Sequence, residues 1–316
     1  MNTLDHLSRV TKIVTDTGLF YSIKKYEPCD STTNPSLILA AVKDPEYAAF
    51  LKEATSYAKE IKCSKDERLE IAMDRVLYLF GVEILKIVPG RVSVEVDARL
   101  SFDTEKTVAK ALKIISIFEK EGISKERILI KIAATWEGGQ AAKILETEHG
   151  IHCNLTLIFS LAQVRVALDA NATLISPFVG RVSDWFKING PDHGSVDHGV
   201  ALVTKIFNYV KAQGSKTQVM GASFRSTEQV LALTGCDLLT VSPSILDSIM
   251  GMKFFPEIKL IAENVQPKPK EKSLNQSEYL WMINEDKMAT DLLSDGIRRF
   301  GKDARILEKM ILDDLS

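Results

Sequence analysis

A single lysine interrupts an apolar run that otherwise has the composition of a buried strand. Lys131 lies within ILIKIAATW (128–136). A buried ammonium loses its hydration, so its charge must be paired, lost by deprotonation, or used in chemistry. Burial can lower a lysine pKa by ~3 or more, and the free amine then attacks a carbonyl carbon to form an imine. The sequence therefore offers Lys131 as a candidate Schiff-base nucleophile.

Imine chemistry beside a carbon–carbon bond also needs a group that moves a proton. The protonated imine draws electrons, so the neighbouring bond breaks or forms when a nearby acid or base acts on a hydroxyl group. Asp16, in VTDTG, ends an early apolar run, and Glu95 lies within RVSVEVDAR (91–99). Arg181, after LISPFVG, and Arg225, ending GASFR, are suited to hold a phosphate bidentately. The alternative for these two arginines is that they are solvated or ion-paired.

Strand alternation predicts that the polar residues of several runs share one face. In ILIKIAAT the isoleucines lie on the face opposite Lys131, which should point into a barrel whose other face meets helices. The same rule places further residues inward: Ser93, Glu95, Asp97, His152, Asn154 and Thr156. It also places Ser176 and Phe178 on one face with Leu174. A polar interior is costly unless it is used. We therefore favour a catalytic cluster over a Lys131–Glu95 ion pair that serves stability alone.

Short β-branched runs recur along the chain and are separated by helical patterns, as in repeated βα units. Seven such runs are predicted strands, at 12–18, 91–99, 127–135, 152–160, 172–179, 218–225 and 237–243. The stretch CDSTTNPSL (29–37) has poor strand propensity but supplies an eighth. Eight strands favour a (β/α)8 barrel, and a doubly wound open sheet is the alternative.

Helix-capping and helix-terminating residues predict where several helices begin and end. The helix 104–121 can be capped by Asp103 or Thr104 and stops at Gly122. Ser226 and Gln229 have the spacing of a capping box, with Gly235 expected to close that helix. The polar, proline-bearing segment 266–273 should be an exposed connection to a helical C-terminal region, 277–315.

Composition excludes several classes of function. The chain has 316 residues, 45% hydrophobic and 26% charged, with a net charge of −2, so no global charge pattern for nucleic acid or anionic membranes is present. Four scattered cysteines form no C-x-x-C pair, which favours a reduced compartment. With no apolar signal core, no run near the ~20 residues of a membrane span and no glycine-rich nucleotide motif, we expect a cytoplasmic protein without a nucleotide cofactor.

One glycine-rich segment, NGPDHGSVDHG (189–199), carries two Asp-His-Gly units. Asp192 with His193 and Asp197 with His198 are residue types that bind metals, but such residues also occur by chance in loops. We expect a plain loop and no metal site.

Several motifs resemble those of the transaldolase family, within the class I aldolase superfamily. DSTTNPSL (30–37) is similar to the family's first signature and ILIKIAATWEG (128–138) to its lysine signature; VDARLSFDT, CNLTLIFS, LISPFVGR and MGASFR also fit. The resemblance covers the chain from end to end. It implies a circularly permuted (β/α)8 TIM barrel with additional C-terminal helices, formed by one domain over 1–316 with 277–315 as a helical extension. It also implies a homodimer that needs no metal or organic cofactor.

The resemblance implies a role for each candidate residue. Lys131 forms the Schiff base, Asp16 is the general base and acid of cleavage and condensation, and Glu95 and Thr156 assist imine formation through a shared water. The implied substrate-binding residues are Asn34, Asn154 and Ser176 on the dihydroxyacetone hydroxyls, Arg181 and Arg225 on the phosphate, and Phe178, which stands where related fructose-6-phosphate aldolases carry a tyrosine.

The implied reaction moves a dihydroxyacetone unit from sedoheptulose 7-phosphate or fructose 6-phosphate to glyceraldehyde 3-phosphate or erythrose 4-phosphate, in the pentose phosphate pathway. Two alternatives remain. An aldolase would release dihydroxyacetone to water, and a non-catalytic barrel would bind sugar phosphates while Lys131 is merely paired.

Overall fold

The computed structural model describes residues 2–190 and 196–315, so Asp192 and His193 lie outside the described residues. Its strands run parallel, each pairing with the next along the chain and the last with the first. They are β1 Lys12–Asp16, β2 Asp30–Thr32, β3 Val92–Glu95, β4 Ile128–Ala133, β5 Cys153–Ile158, β6 Leu174–Pro177, β7 Gln218–Gly221 and β8 Leu238–Val241. This closure confirms the (β/α)8 prediction and excludes an open sheet. The circular permutation stays a prediction, because strand order within one chain does not test it.

The helices that follow the strands form the outer layer. They are α1 Thr3–Leu7, α2 Phe20–Tyr26, α3 Pro35–Ala41, α4 Ala48–Glu60, α5 Lys65–Leu85, α6 Thr104–Lys120, α7 Trp136–Glu148, α8 Leu161–Asp169, α9 Val179–Asn189, α10 His198–Ala212, α11 Thr227–Leu231, α12 Pro243–Met250, α13 Gln276–Glu285 and α14 Lys287–Leu315. Short 3₁₀ turns occur at Ala98–Leu100, Lys125–Arg127 and Ala262–Asn264.

The predicted eighth strand is confirmed, although it is only three residues long. It ends at Thr32 because the next residues start a helix: the Asn34 side chain accepts a hydrogen bond from the Leu37 amide, and Pro35 occupies the first helical position. Proline suits that position because its missing N–H would be unpaired there in any case.

The two faces of the strands bury different side chains, as alternation predicted. Outward-facing residues, such as Val94, Ile130 and Leu155, join one large apolar cluster under the helices. The inner face begins at the amino-terminal end with a small buried layer of Val14, Leu129, Leu174, Met220 and Leu238. Above this layer the interior turns polar, and the site lies there.

The predicted helical C-terminal region is present as α13 and α14. The long helix α14 packs against α3, α4, α5, α9 and β5. Leu293, Ile297 and Phe300 of α14 enter an apolar cluster with Phe178. Gly296 permits this approach, because a β-carbon there would lie only 2.7 Å from Leu157 Cδ2. The segment before α13, 266–273, is largely exposed, as predicted.

Capping predictions were right for one helix and partly right for another. The Asp103 side chain caps α6 by accepting a hydrogen bond from the Lys106 amide. Ser226 accepts one from the Gln229 amide at 3.4 Å, but the Gln229 side chain accepts from the Arg225 amide instead of closing the capping box. That helix, α11, ends at Leu231, and Gly235 serves the later turn into β8 with a φ of +98°.

Two inward assignments were wrong because the residues lie outside the strands. Asp97 follows the end of β3 and caps the 3₁₀ turn Ala98–Leu100, where its carboxylate binds Arg99. His152 precedes β5, and its ring contacts Glu126 and Thr173. Alternation predicts side-chain direction within a strand, and neither residue belongs to one.

Candidate active site

Lys131 and Glu95 face each other across neighbouring strands. They are register partners in the β3–β4 pairing, and Lys131 Nζ lies 3.2 Å from Glu95 Oε2. Each residue is only 4% exposed. The Lys131 ammonium also donates to the Thr33 carbonyl at 3.2 Å. Burial raises the pKa of the Glu95 carboxyl, and the Lys131 charge opposes that rise. The predicted buried pair is therefore present, at the carboxyl-terminal end of the barrel.

Asp16 supplies a second carboxylate at the end of β1. Its Oδ1 accepts a hydrogen bond from the Thr32 hydroxyl at 3.1 Å, and the Thr32 oxygen lies 3.2 Å from that of Thr240. Burial raises the pKa of the Asp16 carboxyl, while the Lys131 charge and the Thr32 hydrogen bond oppose the rise. A carboxyl group poised in this way can exchange a proton with a bound hydroxyl nearer to neutral pH.

The inner faces of β5 and β6 carry a buried polar row beside Lys131. Ser176 donates to Asn154 Oδ1 at 2.6 Å, and Asn154 Nδ2 donates to Ser93 Oγ at 3.1 Å. Thr156 Oγ1 is fully buried and has no hydrogen-bond partner among the described residues, and the Lys131 ammonium is the neighbour of Glu95 Oε2, 3.2 Å away. Such buried atoms normally have a partner, often an ordered water.

The two arginines differ in whether the guanidinium group already forms an ion pair with a carboxylate. Arg181 lies in the first turn of α9, with its guanidinium 5.0 Å from the ring of Phe178 and 5.6 Å from that of Phe300. Its Nη1 is buried without a hydrogen-bond partner in the described part of the chain. Arg225 instead donates to Asp184 Oδ2 at 2.9 Å, and its side chain is 44% exposed. Arg181 is thus the more available anion ligand.

One cavity of about 220 Å³ joins most of these groups. Of the predicted residues, its wall contains Asp16, Asn34, Lys131, Thr156, Ser176, Phe178, Arg181 and Arg225. Two predicted residues are not in this wall: Glu95 lies behind Lys131, and Asn154 lies beneath Ser176. Asn34 uses its oxygen to cap α3, and its Nδ2 makes no hydrogen bond within the described ranges.

Sequence reasoning missed several residues of the cavity wall, among them Thr32, Ser223, Thr240, Ser242 and Phe300. Thr32 and Thr240 continue the inward alternation of β2 and β8, a signal that could have found both of them. Phe300 gave no signal, because it reaches the site only through the docking of α14.

The described half of the glycine-rich segment has a structural role. Asp197 caps α10 and accepts hydrogen bonds from Ser183 and Gln229, both at 2.7 Å. The His198 ring stacks on that of Phe186, with centroids 3.9 Å apart. Within residues 2–190 and 196–315, no group of three or more metal-ligating side chains is arranged to hold an ion. No helix in these ranges is long and apolar enough to cross a membrane.

A parallel (β/α)8 barrel with a buried lysine–carboxylate pair at the carboxyl ends of its strands has the layout of an enzyme, because active sites of this fold lie at that end. The model of the Transaldolase/Fructose-6-phosphate aldolase family matches residues 13–311. Transaldolase of Saccharomyces cerevisiae is 53% identical over 98% of this chain and 94% of its own length. The transaldolases of Homo sapiens and Histophilus somni are 49% identical over 98% of this chain and 93% and 98% of their lengths. The chain belongs to this family, as the sequence motifs predicted.

Proposed function

We propose that this protein is a transaldolase that moves a dihydroxyacetone unit from a ketose phosphate to an aldose phosphate through a Schiff base on Lys131. The donor is sedoheptulose 7-phosphate or fructose 6-phosphate, and the acceptor is glyceraldehyde 3-phosphate or erythrose 4-phosphate. The observation that carries this proposal is the buried Lys131, 3.2 Å from Glu95, in a cavity it shares with Asp16.

The first step joins the donor to the enzyme. Lys131 first passes a proton to the Glu95 carboxylate, 3.2 Å away. The neutral amine attacks the C2 carbonyl carbon, which gives a carbinolamine; the carbinolamine hydroxyl takes the proton from Glu95 and leaves as water, and the protonated imine remains. Glu95 and Thr156 move these protons through a shared water. Thr156 Oγ1 supports this role, because it has no hydrogen-bond partner among the described residues and a water between it and Glu95 would supply one.

The second step breaks the C3–C4 bond. Asp16 takes the proton of the C4 hydroxyl, the C4 carbonyl forms, and the bonding electrons move into the protonated imine to give an enamine. The aldose phosphate leaves with that carbonyl. An acceptor aldehyde then reverses these movements, and Asp16 returns its proton to the new hydroxyl. The raised pKa of Asp16 supports this exchange, because burial favours its protonated form.

Substrate position follows from the polar groups around Lys131. Asn34, Asn154 and Ser176 bind the hydroxyls of the three-carbon unit, and Arg181 and Arg225 bind the phosphate. Arg181 Nη1 has no hydrogen-bond partner in the described part of the chain, which supports the phosphate role. A guanidinium matches phosphate oxygens in geometry as well as charge.

An aldolase that releases dihydroxyacetone to water is the second candidate, since the family includes fructose-6-phosphate aldolases. Phe178 in the cavity wall carries no hydroxyl to activate water, which supports transfer. Purified protein should release about one equivalent of glyceraldehyde 3-phosphate from fructose 6-phosphate and then stall. Erythrose 4-phosphate should restore turnover. Continued release without an acceptor would favour the aldolase.

The non-catalytic alternative has its own test. In a sugar-phosphate-binding barrel, Lys131→Ala would keep donor affinity and the wild type would show no transfer. We expect instead that the wild type turns over and that Lys131→Ala is inactive but folded.

The proposal also covers the domain organisation, the oligomeric state and the cellular location of the protein. Residues 1–316 form one domain, with 277–315 as its helical extension, and the packing of α14 on α3, α5 and β5 supports this unit. The protein acts in the cytoplasm, in the pentose phosphate pathway, as a homodimer, without a metal or organic cofactor and without nucleic-acid or membrane partners. Light scattering on a sizing column tests the dimer directly.

A further inference from the structure

A second cavity, of about 170 Å³, lies behind the lysine and is separate from the substrate cavity. It opens between α3, α5 and α14 near the end of β3. Its wall includes Met73 of α5, Glu95, Asp97, Arg99, and Ala304 and Glu308 of α14. Glu95 is the one residue of the proposed catalytic set in this wall, and it is absent from the wall of the substrate cavity.

Glu95 therefore stands between two compartments. On one side its Oε2 faces Lys131 Nζ at 3.2 Å. On the other side it borders the second cavity, which is large enough for on the order of five waters. A carboxylate in this position can pass protons and water between the lysine and a space that the sugar does not fill.

The outer end of the second cavity is charged and reaches solvent. Arg99, 37% exposed, forms ion pairs with Asp97 and with Glu308 of α14. Although burial opposes ionisation of Asp97, hydrogen bonds from Arg99 hold its pKa below the ordinary value. This rim therefore stays ionised and hydrated. Between the rim and Glu95 the wall combines apolar side chains with those of Glu70, Asp74 and Lys110, which give water hydrogen-bond partners along the way.

The chemistry creates a need for such a route. Each imine that forms at Lys131 releases one water, and each imine that hydrolyses consumes one. The sugar then occupies the substrate cavity beneath Phe300, whose ring lies 6.0 Å from Lys131 Nζ. Water that leaves on the substrate side must pass the bound sugar, whereas the second cavity lies directly beyond Glu95.

We propose that the second cavity is a water path, through which the water released at Lys131 passes Glu95 to solvent and returns for imine hydrolysis. The inference rests on the proposed Schiff-base function. In the outward direction the carbinolamine hydroxyl takes a proton from Glu95 and leaves as water. In the return direction a water from the path gives its proton to Glu95 as its oxygen bonds to the imine carbon.

Oxygen exchange tests this path with a matched pair of variants. Ala304, buried on α14 in the cavity wall, is replaced by phenylalanine to fill the path or by serine to leave it open. Each protein is incubated with fructose 6-phosphate in H₂¹⁸O. We measure ¹⁸O at C2 of the recovered ketose, corrected for uncatalysed exchange. The rate of imine formation is measured separately by rapid borohydride quenching, and ¹⁸O incorporation is expressed per imine formed.

We expect Ala304→Phe to lower ¹⁸O incorporation per imine by at least fivefold, because the trapped water returns to the carbon it left. Ala304→Ser should match the wild type. Filling the path from the opposite wall with Met73→Trp, against Met73→Leu as its control, should repeat the result and covers the case in which Ala304→Phe does not fold.

The experiment gives different results if the water path is wrong and if the proposed function is wrong. Unchanged ¹⁸O incorporation in a folded, filled variant that still traps the imine would overturn the water path and leave the proposed function intact. If wild-type protein traps no imine on Lys131, the proposed function fails and the water path fails with it.

Discussion

Replacing Arg181 by methionine tests the proposed phosphate site most sharply. The guanidinium lies near the rings of Phe178 and Phe300, so a methionine keeps the apolar contacts of the side chain and removes the charge. Arg181 Nη1 has no hydrogen-bond partner among the described residues, so a phosphate would gain a full charge-assisted bond there. Arg225→Met is the matched comparison, because Arg225 is already bound to Asp184.

The structure sets the expected magnitudes. A hydrogen bond to a charged group contributes about 1.5–3 kcal/mol, so Arg181→Met should lower kcat/KM for fructose 6-phosphate by roughly 10- to 150-fold. Arg225 exchanges one carboxylate partner for the phosphate and is 44% exposed. Its loss should cost about 0.5–1.5 kcal/mol, or roughly 2- to 12-fold, in the range of an ordinary hydrogen bond.

The assay compares a phosphorylated donor with an unphosphorylated one. Both variants should lose kcat/KM with fructose 6-phosphate, mainly through KM, and should act on fructose as the wild type does. Thermal unfolding monitored by circular dichroism checks that each variant is folded. An equal loss with fructose, in a folded protein, would refute the phosphate role of Arg181.

Three further predictions concern stability and reactivity. Burial raises the pKa of Asp16 above its unfolded value, so the free energy of unfolding falls as pH rises between these two values. Asp16→Asn removes the free-energy cost of burying the charged carboxylate at neutral pH, and we expect a higher Tm with loss of activity. Gly296→Ala places a β-carbon 2.7 Å from Leu157 and should lower the free energy of unfolding in urea by about 1–3 kcal/mol. In the control Gly301→Ala the new β-carbon meets nothing nearer than 3.6 Å, so the free energy of unfolding should rise by about 0.5–1 kcal/mol. Equal effects of the two variants would contradict the close packing of α14. Burial raises the pKa of the Cys29, Cys153 and Cys236 thiols, so all three should react with iodoacetamide more slowly in folded than in urea-unfolded protein, as peptide mapping would show.

Strand positions and inward-facing residues could be predicted because they depend on local rules. β-Branched runs indicated the strands, and the period of two was sufficient to place Lys131, Glu95, Asn154 and Ser176 on one face. The same rule failed for Asp97, where the backbone turns immediately after β3. The two-residue period predicts side-chain direction only for residues that belong to the strand.

Other parts of the site depend on long-range packing, which sequence periodicity does not record. Phe300 covers the cavity because α14 docks across the barrel, and Gly296 permits that docking. Leu157 adopts a φ of +58° where the β5–β6 register shifts, and it packs against this helix. The second cavity exists only where α3, α5 and α14 meet, so no single segment could have indicated it.

The central claim is that Lys131 forms a covalent imine with a ketose phosphate and cleaves it. The most direct measurement is incubation with fructose 6-phosphate, reduction with borohydride, intact mass and peptide mapping, with Lys131→Ala as the control. We expect one three-carbon adduct, on the peptide that contains Lys131, and none in the control. Folded protein without an adduct at any pH tested, or with the adduct on another lysine, would contradict the claim.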